Sequence, residues 1–142
     1  MWKLVLISMT IFASITACAS KAISAPSLVS SFPQSINTPS AFYDAVIKGE
    51  LVLSNGCLRV NNVDGNSFLL IWRPGFSTRM DQDVVQVIDS TGQVAASVGD
   101  FVEVGGGGDS DPTWYGLAEP LPDNCPGPYF IVGESIKKID RP

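Results

Sequence analysis

Between residues 50 and 133 the chain repeats one device: a short run of β-type composition, then a residue that tolerates a left-handed backbone. The runs cover 50–54, 57–61, 67–73, 84–89, 93–98, 101–104 and 129–133. Starts roughly ten residues apart, each run bounded by turn residues, are the pattern of an all-β domain. Asn55-Gly56 and Asp64-Gly65 supply the positive φ angles of tight hairpins, and Thr91-Gly92 and Val98-Gly99 repeat the theme. Successive strands are therefore expected to lie antiparallel to their neighbours.

Most runs alternate. Leu51/Leu53, Leu58/Val60 against Arg59, and Val85/Val87 against Gln86 each predict one buried face. The run Phe68-Leu69-Leu70-Ile71-Trp72 does not alternate, which predicts a strand covered on both faces. About 100 residues in six or seven short strands must close or split to hide sheet edges. The expected fold is an all-β, antiparallel, OB-like, partly open barrel of five strands, with a small β-sandwich as the alternative. Ser40, followed by apolar residues at helical spacing and by Gly49, predicts a short helix over 40–49 that plugs the barrel.

At the amino terminus, Lys3 precedes an apolar run over 4–17 that ends in small residues. It is shorter than the ~20 residues a spanning helix needs, and its flanks are those of a secretory signal. Two cleavage sites overlap there. Ala17-Cys18-Ala19 fits ordinary signal peptidase, with the mature chain starting at Ser20, while Ile15-Thr16-Ala17-Cys18 resembles the lipobox of bacterial lipoproteins. The lipobox is the favoured reading. The resemblance implies that cleavage falls before Cys18, that Cys18 takes a thioether-linked diacylglycerol, and that its new amino group is acylated. Two or more chains hold a protein on a bilayer where one lets go. Ala19 after the cysteine implies, by the same resemblance, sorting to an outer membrane if the host has one.

The domain plan that follows is a signal peptide over 1–17, a lipidated Cys18 with a flexible Ser/Pro/Ala tether over 18–41, the barrel over 42–138 and a tail over 139–142. Pro26, Pro33 and Pro39 forbid a regular helix in the tether, and its composition offers little apolar surface to bury. Some 22 residues of such a leash would hold the domain roughly 25 Å from the bilayer.

With Cys18 acylated, Cys57 and Cys125 remain as an even pair in an exported domain, where a disulfide is the expected outcome. It would close a loop of about 68 residues, add roughly 4 kcal/mol in the chain-entropy account, and fasten the Pro-rich stretch 119–128 to an early strand.

The order Gly49-Glu50-Leu51, Asn55-Gly56-Cys57-Leu58, Ile71-Trp72-Arg73-Pro74-Gly75-Phe76, Gly99-Asp100-Phe101-Val102 and Cys125-Pro126-Gly127-Pro128-Tyr129 resembles a family of uncharacterised bacterial envelope lipoproteins over residues 47–134. The resemblance implies an address and a fold, and no activity.

The chain contains no histidine, which removes imidazole from any triad, metal site or proton shuttle. A net charge of -5 at pH 7 repels phosphate backbones, so no nucleic-acid partner is expected. Ser135 and Lys138 match S-x-x-K but lack the companion motifs of penicillin-recognising enzymes, and Gly105 to Gly108 lacks the Lys-Ser/Thr of a phosphate loop. Asp81 with Asp83, and Asp109, Asp111 and Asp123, read as solvated loop carboxylates without a calcium-loop spacing. No catalytic residue, metal or cofactor is expected.

Trp114, Tyr115, Trp72 and Phe76 are the candidate ligand or partner contacts, since aromatic side chains at a barrel rim suit stacking on a sugar or docking a protein. Core packing competes for Trp72. The sequence thus points to a lipid-anchored envelope protein, non-enzymatic, acting as a binding or structural module toward another envelope protein or a glycan. The alternative is a small envelope hydrolase using a rim carboxylate or serine.

Overall fold

Eight strands run in the order β1 Ala45–Ser54, β2 Cys57–Asn62, β3 Ser67–Ile71, β4 Ser77–Asp81, β5 Val84–Ile88, β6 Val94–Ser97, β7 Phe101–Asp109 and β8 Tyr129–Lys138. The structure is a computed structural model and describes residues 32–36, 44–109 and 111–142, with Asp109, Trp114, Tyr115 and Glu134 described by their backbone. The signal peptide, Cys18, most of the expected tether and residues 40–43 of the expected helix lie outside the described residues.

The protein is all-β. Strands β1, β2, β3, β8 and β7 close into a barrel in that order, and β4, β5 and β6 form a separate antiparallel sheet. The barrel sheet is mixed, because β3 and β8 run parallel, with Leu69, Leu70 and Ile71 opposite Tyr129, Phe130 and Ile131. Every other barrel pair is antiparallel. The expectation of a wholly antiparallel sheet is corrected at this one seam.

A second correction concerns the helix expected over 40–49. Residues 45–49 are the first half of β1, paired with β7 from Ala45 opposite Gly106 to Gly49 opposite Val102. The apolar spacing of Ala45, Val46 and Ile47 is compatible with either period. The β7 edge, which needs a partner to close the barrel, decides between them. Gly49 is not a helix stop. It is a place of close approach, where a Cβ would overlap the Asn61 carbonyl oxygen.

Inside the barrel lie Leu51, Leu58, Val60, Leu70, Val102, Val104, Phe130, Val132 and Ile136. The same cluster continues through Trp72 and Phe76 to Val85, Val87 and Ala96, the inner face of the second sheet. That sheet thus takes the place at the barrel that the helix was expected to fill.

The Gly105 to Gly108 run belongs to β7, beside an irregularity in its pairing with β8. A Cβ on Gly106 would overlap the Ile131 carbonyl oxygen, so the glycines let two backbones meet at the bend. Across the outside of β1, β7 and β8, Lys137 and Lys48 reach Glu103 at 2.7 and 2.8 Å. Lys138 pairs with Asp100 at 2.7 Å, which raises its pKa. Arg141, in the expected tail, pairs with Glu50 at 2.9 Å and sits over the Phe101 ring.

Strand β4 was not anticipated. Its link to β5 is a two-residue hairpin, Gln82-Asp83, with φ of 46° and 66°. The equivalent turn of β1 and β2, Asn55-Gly56, has φ of 52° and 78° and carries the expected residues. Left-handed backbone costs a non-glycine residue roughly 1–2 kcal/mol. Replacing Gln82-Asp83 by Asn-Gly should therefore raise stability by about 1 kcal/mol, measured as a higher urea midpoint with an unchanged slope.

The two residues that hold Glu103, Lys137 first and then Lys48, depress its pKa from 4.5 to about 2. A depressed folded-state value means that this contribution to stability is present above about pH 4.5 and is lost as pH falls toward 2. Glu103→Gln should flatten the acid limb of stability in that window and leave the neutral limb parallel to that of the parent, as followed by urea titrations at stepped pH.

Candidate functional site

On β2 the residues alternate as Cys57, Leu58, Arg59 and Val60, and all four are buried. Leu58 and Val60 face the interior. Cys57 and Arg59, two residues apart and so on one face, point the other way, beneath the Pro-rich stretch that precedes β8. A disulfide joins Cys57 to Cys125, with a Cα–Cα separation of 5.8 Å. The Arg59 guanidinium donates to the Pro126 carbonyl at 2.7 Å, to the Ser67 carbonyl at 2.6 Å and to the Ser67 hydroxyl at 2.9 Å. Burial lowers its pKa, with Tyr129 opposing.

Arg59, expected as the solvent-facing partner of Leu58 and Val60, is thus 9% exposed. The residues it grips explain why: five donors on a planar fork can satisfy two carbonyls and a hydroxyl at once. Asn124 adds a bond to the Asn55 carbonyl at 2.8 Å. Beneath this cover Leu69, Ile71 and Ile131 form a second apolar cluster with the disulfide, and Leu117, Leu121 and Tyr129 pack on it. The non-alternating run Phe68 to Trp72 is covered on both sides for that reason.

A second strap comes from the other end. Residues 32–36, inside the expected tether, are fastened to the domain. Trp72 donates to the Pro33 carbonyl and Ser35 to the Trp72 carbonyl, while Ala118 donates to the Gln34 carbonyl and Ile36 to that of Gly116. These distances are 2.7–2.9 Å. The Gln34 amide donates to the Phe76 carbonyl at 2.6 Å, and Phe32 stacks on Trp72 at 4.9 Å between ring centroids. The sequence reading missed this strap, because a Ser/Pro-rich stretch with one Phe carries no period.

Trp72 is fully buried and Phe76 is 8% exposed, with their rings 5.5 Å apart. Both are core residues. Trp72 is therefore not a rim contact, and its indole N–H is buried without a hydrogen-bond partner among the described residues. Phe76 contributes to the wall of a cleft of about 610 Å³, shared with Phe32, Pro33, Gln34, Thr78 and Pro120. The cleft also touches Ser77, Ala118, Glu119 and Pro122.

Trp114 and Tyr115 lie in the short 3-10 turn Pro112–Tyr115, capped by the Asp111 carboxylate accepting from the Thr113 N–H at 3.0 Å. Ser135 is exposed on extended β8 and Lys138 is held by Asp100, so S-x-x-K is not assembled as a helical nucleophile pair. Asp81 accepts from the Gln86 amide at 3.4 Å, and Asp83 is in the hairpin turn. Among the described residues no group of three or more His, Cys, Asp or Glu side chains is placed to hold a metal ion. Protein-family models, curated proteins and solved structures provide no match to the chain.

Replacing both Cys57 and Cys125 by Ala should cost roughly 4 kcal/mol. Amide exchange at Leu117, Leu121 and Asn124 should accelerate ahead of that in β1 and β2, because the strap loses its covalent pin before the barrel loses its ladder.

Proposed function

We propose that this is a lipid-anchored protein of the bacterial cell envelope, akin to the uncharacterised envelope lipoproteins that residues 47–134 resemble, and that its domain is a binding module. The disulfide carries the extracytoplasmic part of this reading. Cys57 and Cys125 lie side by side in a site with no C-x-x-C spacing, the arrangement of a structural crosslink made in an oxidising compartment. It leaves Cys18 as the remaining thiol, at the lipobox-like Ile15-Thr16-Ala17-Cys18. Acylation there would make the anchor.

The finer fold reading is an OB-like barrel. It is supported by five barrel strands in which β7 returns beside β1, next to the consecutive β1, β2 and β3, an order of Greek-key type. The binding role is supported by the cleft, an open hollow in which Phe32, Phe76 and three prolines stand beside Gln34, Ser77, Thr78 and Glu119. A stretch of another envelope protein or a glycan are the partners that such walls suit.

Mass spectrometry of the mature chain tests the anchor. The expected amino terminus is Cys18 carrying a diacylglyceryl group, and Cys18→Ala should move the protein from the membrane to the soluble fraction. A mature chain that starts at an unmodified Ser20 would overturn the reading.

A further inference from the structure

The second sheet is tied to the barrel beyond β6, where Gly99 donates to the Leu51 carbonyl at 2.8 Å and Leu51 to that of Asp100 at 2.9 Å. At its other side β4 is an edge strand, paired with β5 and with no other strand among the described residues. Asp81 and Val84 flank the two-residue turn and so exchange both of their backbone bonds. Alternation then turns the N–H and C=O of Asp81, Arg79 and Ser77 toward β5, and those of Thr78 and Met80 outward. Among the described residues no backbone hydrogen bond meets Thr78 or Met80 from that side.

This open edge runs into the cleft. Ser77 and Thr78 belong to the lining, and the carbonyl of Phe76, two residues before Thr78, already accepts from the Gln34 side-chain amide at 2.6 Å. An amide thus makes the first rung along the edge, and the next two, at Thr78 and Met80, ask for the groups that a peptide backbone supplies. Side chains of a strand laid there alternate, so every second one would enter the hollow that Phe76 and Thr78 share with Phe32 and Pro120. Met80, on the same face as Thr78, is 43% exposed and carries the apolar side of the slot beyond the cleft. Carboxylates stand at both ends, Glu119 in the cleft and Asp81 with Asp83 at the hairpin, while the Arg79 guanidinium is held by the Gln86 amide oxygen at 2.7 Å.

We propose, resting on the reading of the domain as a binding module, that the ligand of the cleft is an extended segment of a partner protein that adds to β4 as a fourth strand of the second sheet. The segment carries apolar side chains at alternate positions and basic residues on its flanks. Backbone bonds to Thr78 and Met80 give the affinity, Phe32, Phe76 and Pro120 select the inward side chain, and Glu119 and Asp81 select the basic flanks. A glycan lacks the N–H and C=O pair at every second residue that this edge asks for.

The test uses the disulfide-bonded chain from residue 18 onward with Cys18→Ala, titrated with the peptide acetyl-Lys-Thr-Phe-Thr-Val-Thr-Lys-amide and followed by amide NMR shifts. The largest shifts should fall at Thr78 and Met80. N-methylation of alternate peptide residues should weaken binding about ten-fold in one register and spare it in the other, since one register faces β4 and the other faces solvent. Met80→Pro, which removes an outward N–H that no ladder uses, should weaken binding about ten-fold and leave the rest of the spectrum in place. Equal effects in both registers overturn strand addition, as does full binding by a folded Met80→Pro chain. The methylated peptides need no change to the protein and decide the matter if that variant does not fold. Concentration-dependent broadening at Thr78 and Met80 without peptide overturns the proposal in favour of a second copy on the edge. Binding of chitotetraose in place of the peptide overturns it and leaves the binding-module reading standing, whereas binding of neither probe counts against both.

Discussion

A parallel strand pair cannot be closed by a tight turn, and the β3–β8 seam makes that constraint govern the rest of the molecule. The chain leaves β3 at Ile71 and does not return to pair with it until Tyr129. The second sheet, strand β7, the 3-10 turn and the Pro-rich strap all lie on that excursion. Of these, β7 completes the barrel, while the second sheet and the Pro-rich strap cover surface that the seam leaves apolar. Leu70 and Trp72 look inward, while Leu69 and Ile71 look outward and join the disulfide cluster under the strap.

The two coverings are made by different physics. The second sheet buries Val85, Val87 and Ala96 beside Trp72 and Phe76, an ordinary apolar contact between alternating faces. The strap has no ladder and few large apolar groups. It is held at points, by the disulfide, by the Arg59 hydrogen bond to the Pro126 carbonyl and by Asn124 on the Asn55 carbonyl. A buried guanidinium is tolerable because every bond it makes replaces one lost to water.

The cleft exists where these coverings meet. Phe32 and Pro33 come from the amino-terminal strap, Phe76, Ser77 and Thr78 from the start of the second sheet, and Ala118, Pro120 and Pro122 from the Pro-rich strap. Three segments distant in sequence thus define one concave surface, and the first of them leads back toward the proposed anchor.

Much of the fold was legible from local signals. The strands near 50–54, 57–61, 84–89 and 101–104, the Asn55-Gly56 hairpin and the pairing of Cys57 with Cys125 follow from turn chemistry, alternation and cysteine arithmetic. Strand β4 was hidden because its turn, Gln82-Asp83, uses residues without the usual left-handed preference. The 40–49 stretch predicts a helix because a Ser40 cap, apolar residues at helical spacing and Gly49 fit that period, while the pairing of residues 45–49 with β7 is invisible locally. The strap at residues 32–36, the burial of Arg59 and the cleft were illegible for a common reason: each is defined by contacts across tens of residues. By itself the sequence determined an all-β chain, its crosslink and its acidic, histidine-free chemistry, since composition and near-neighbour sterics suffice for these. Only the tertiary structure decided which strands close the barrel, that Arg59 is buried under the strap and where a ligand-sized hollow is left, because those depend on what the long β3-to-β8 excursion must cover.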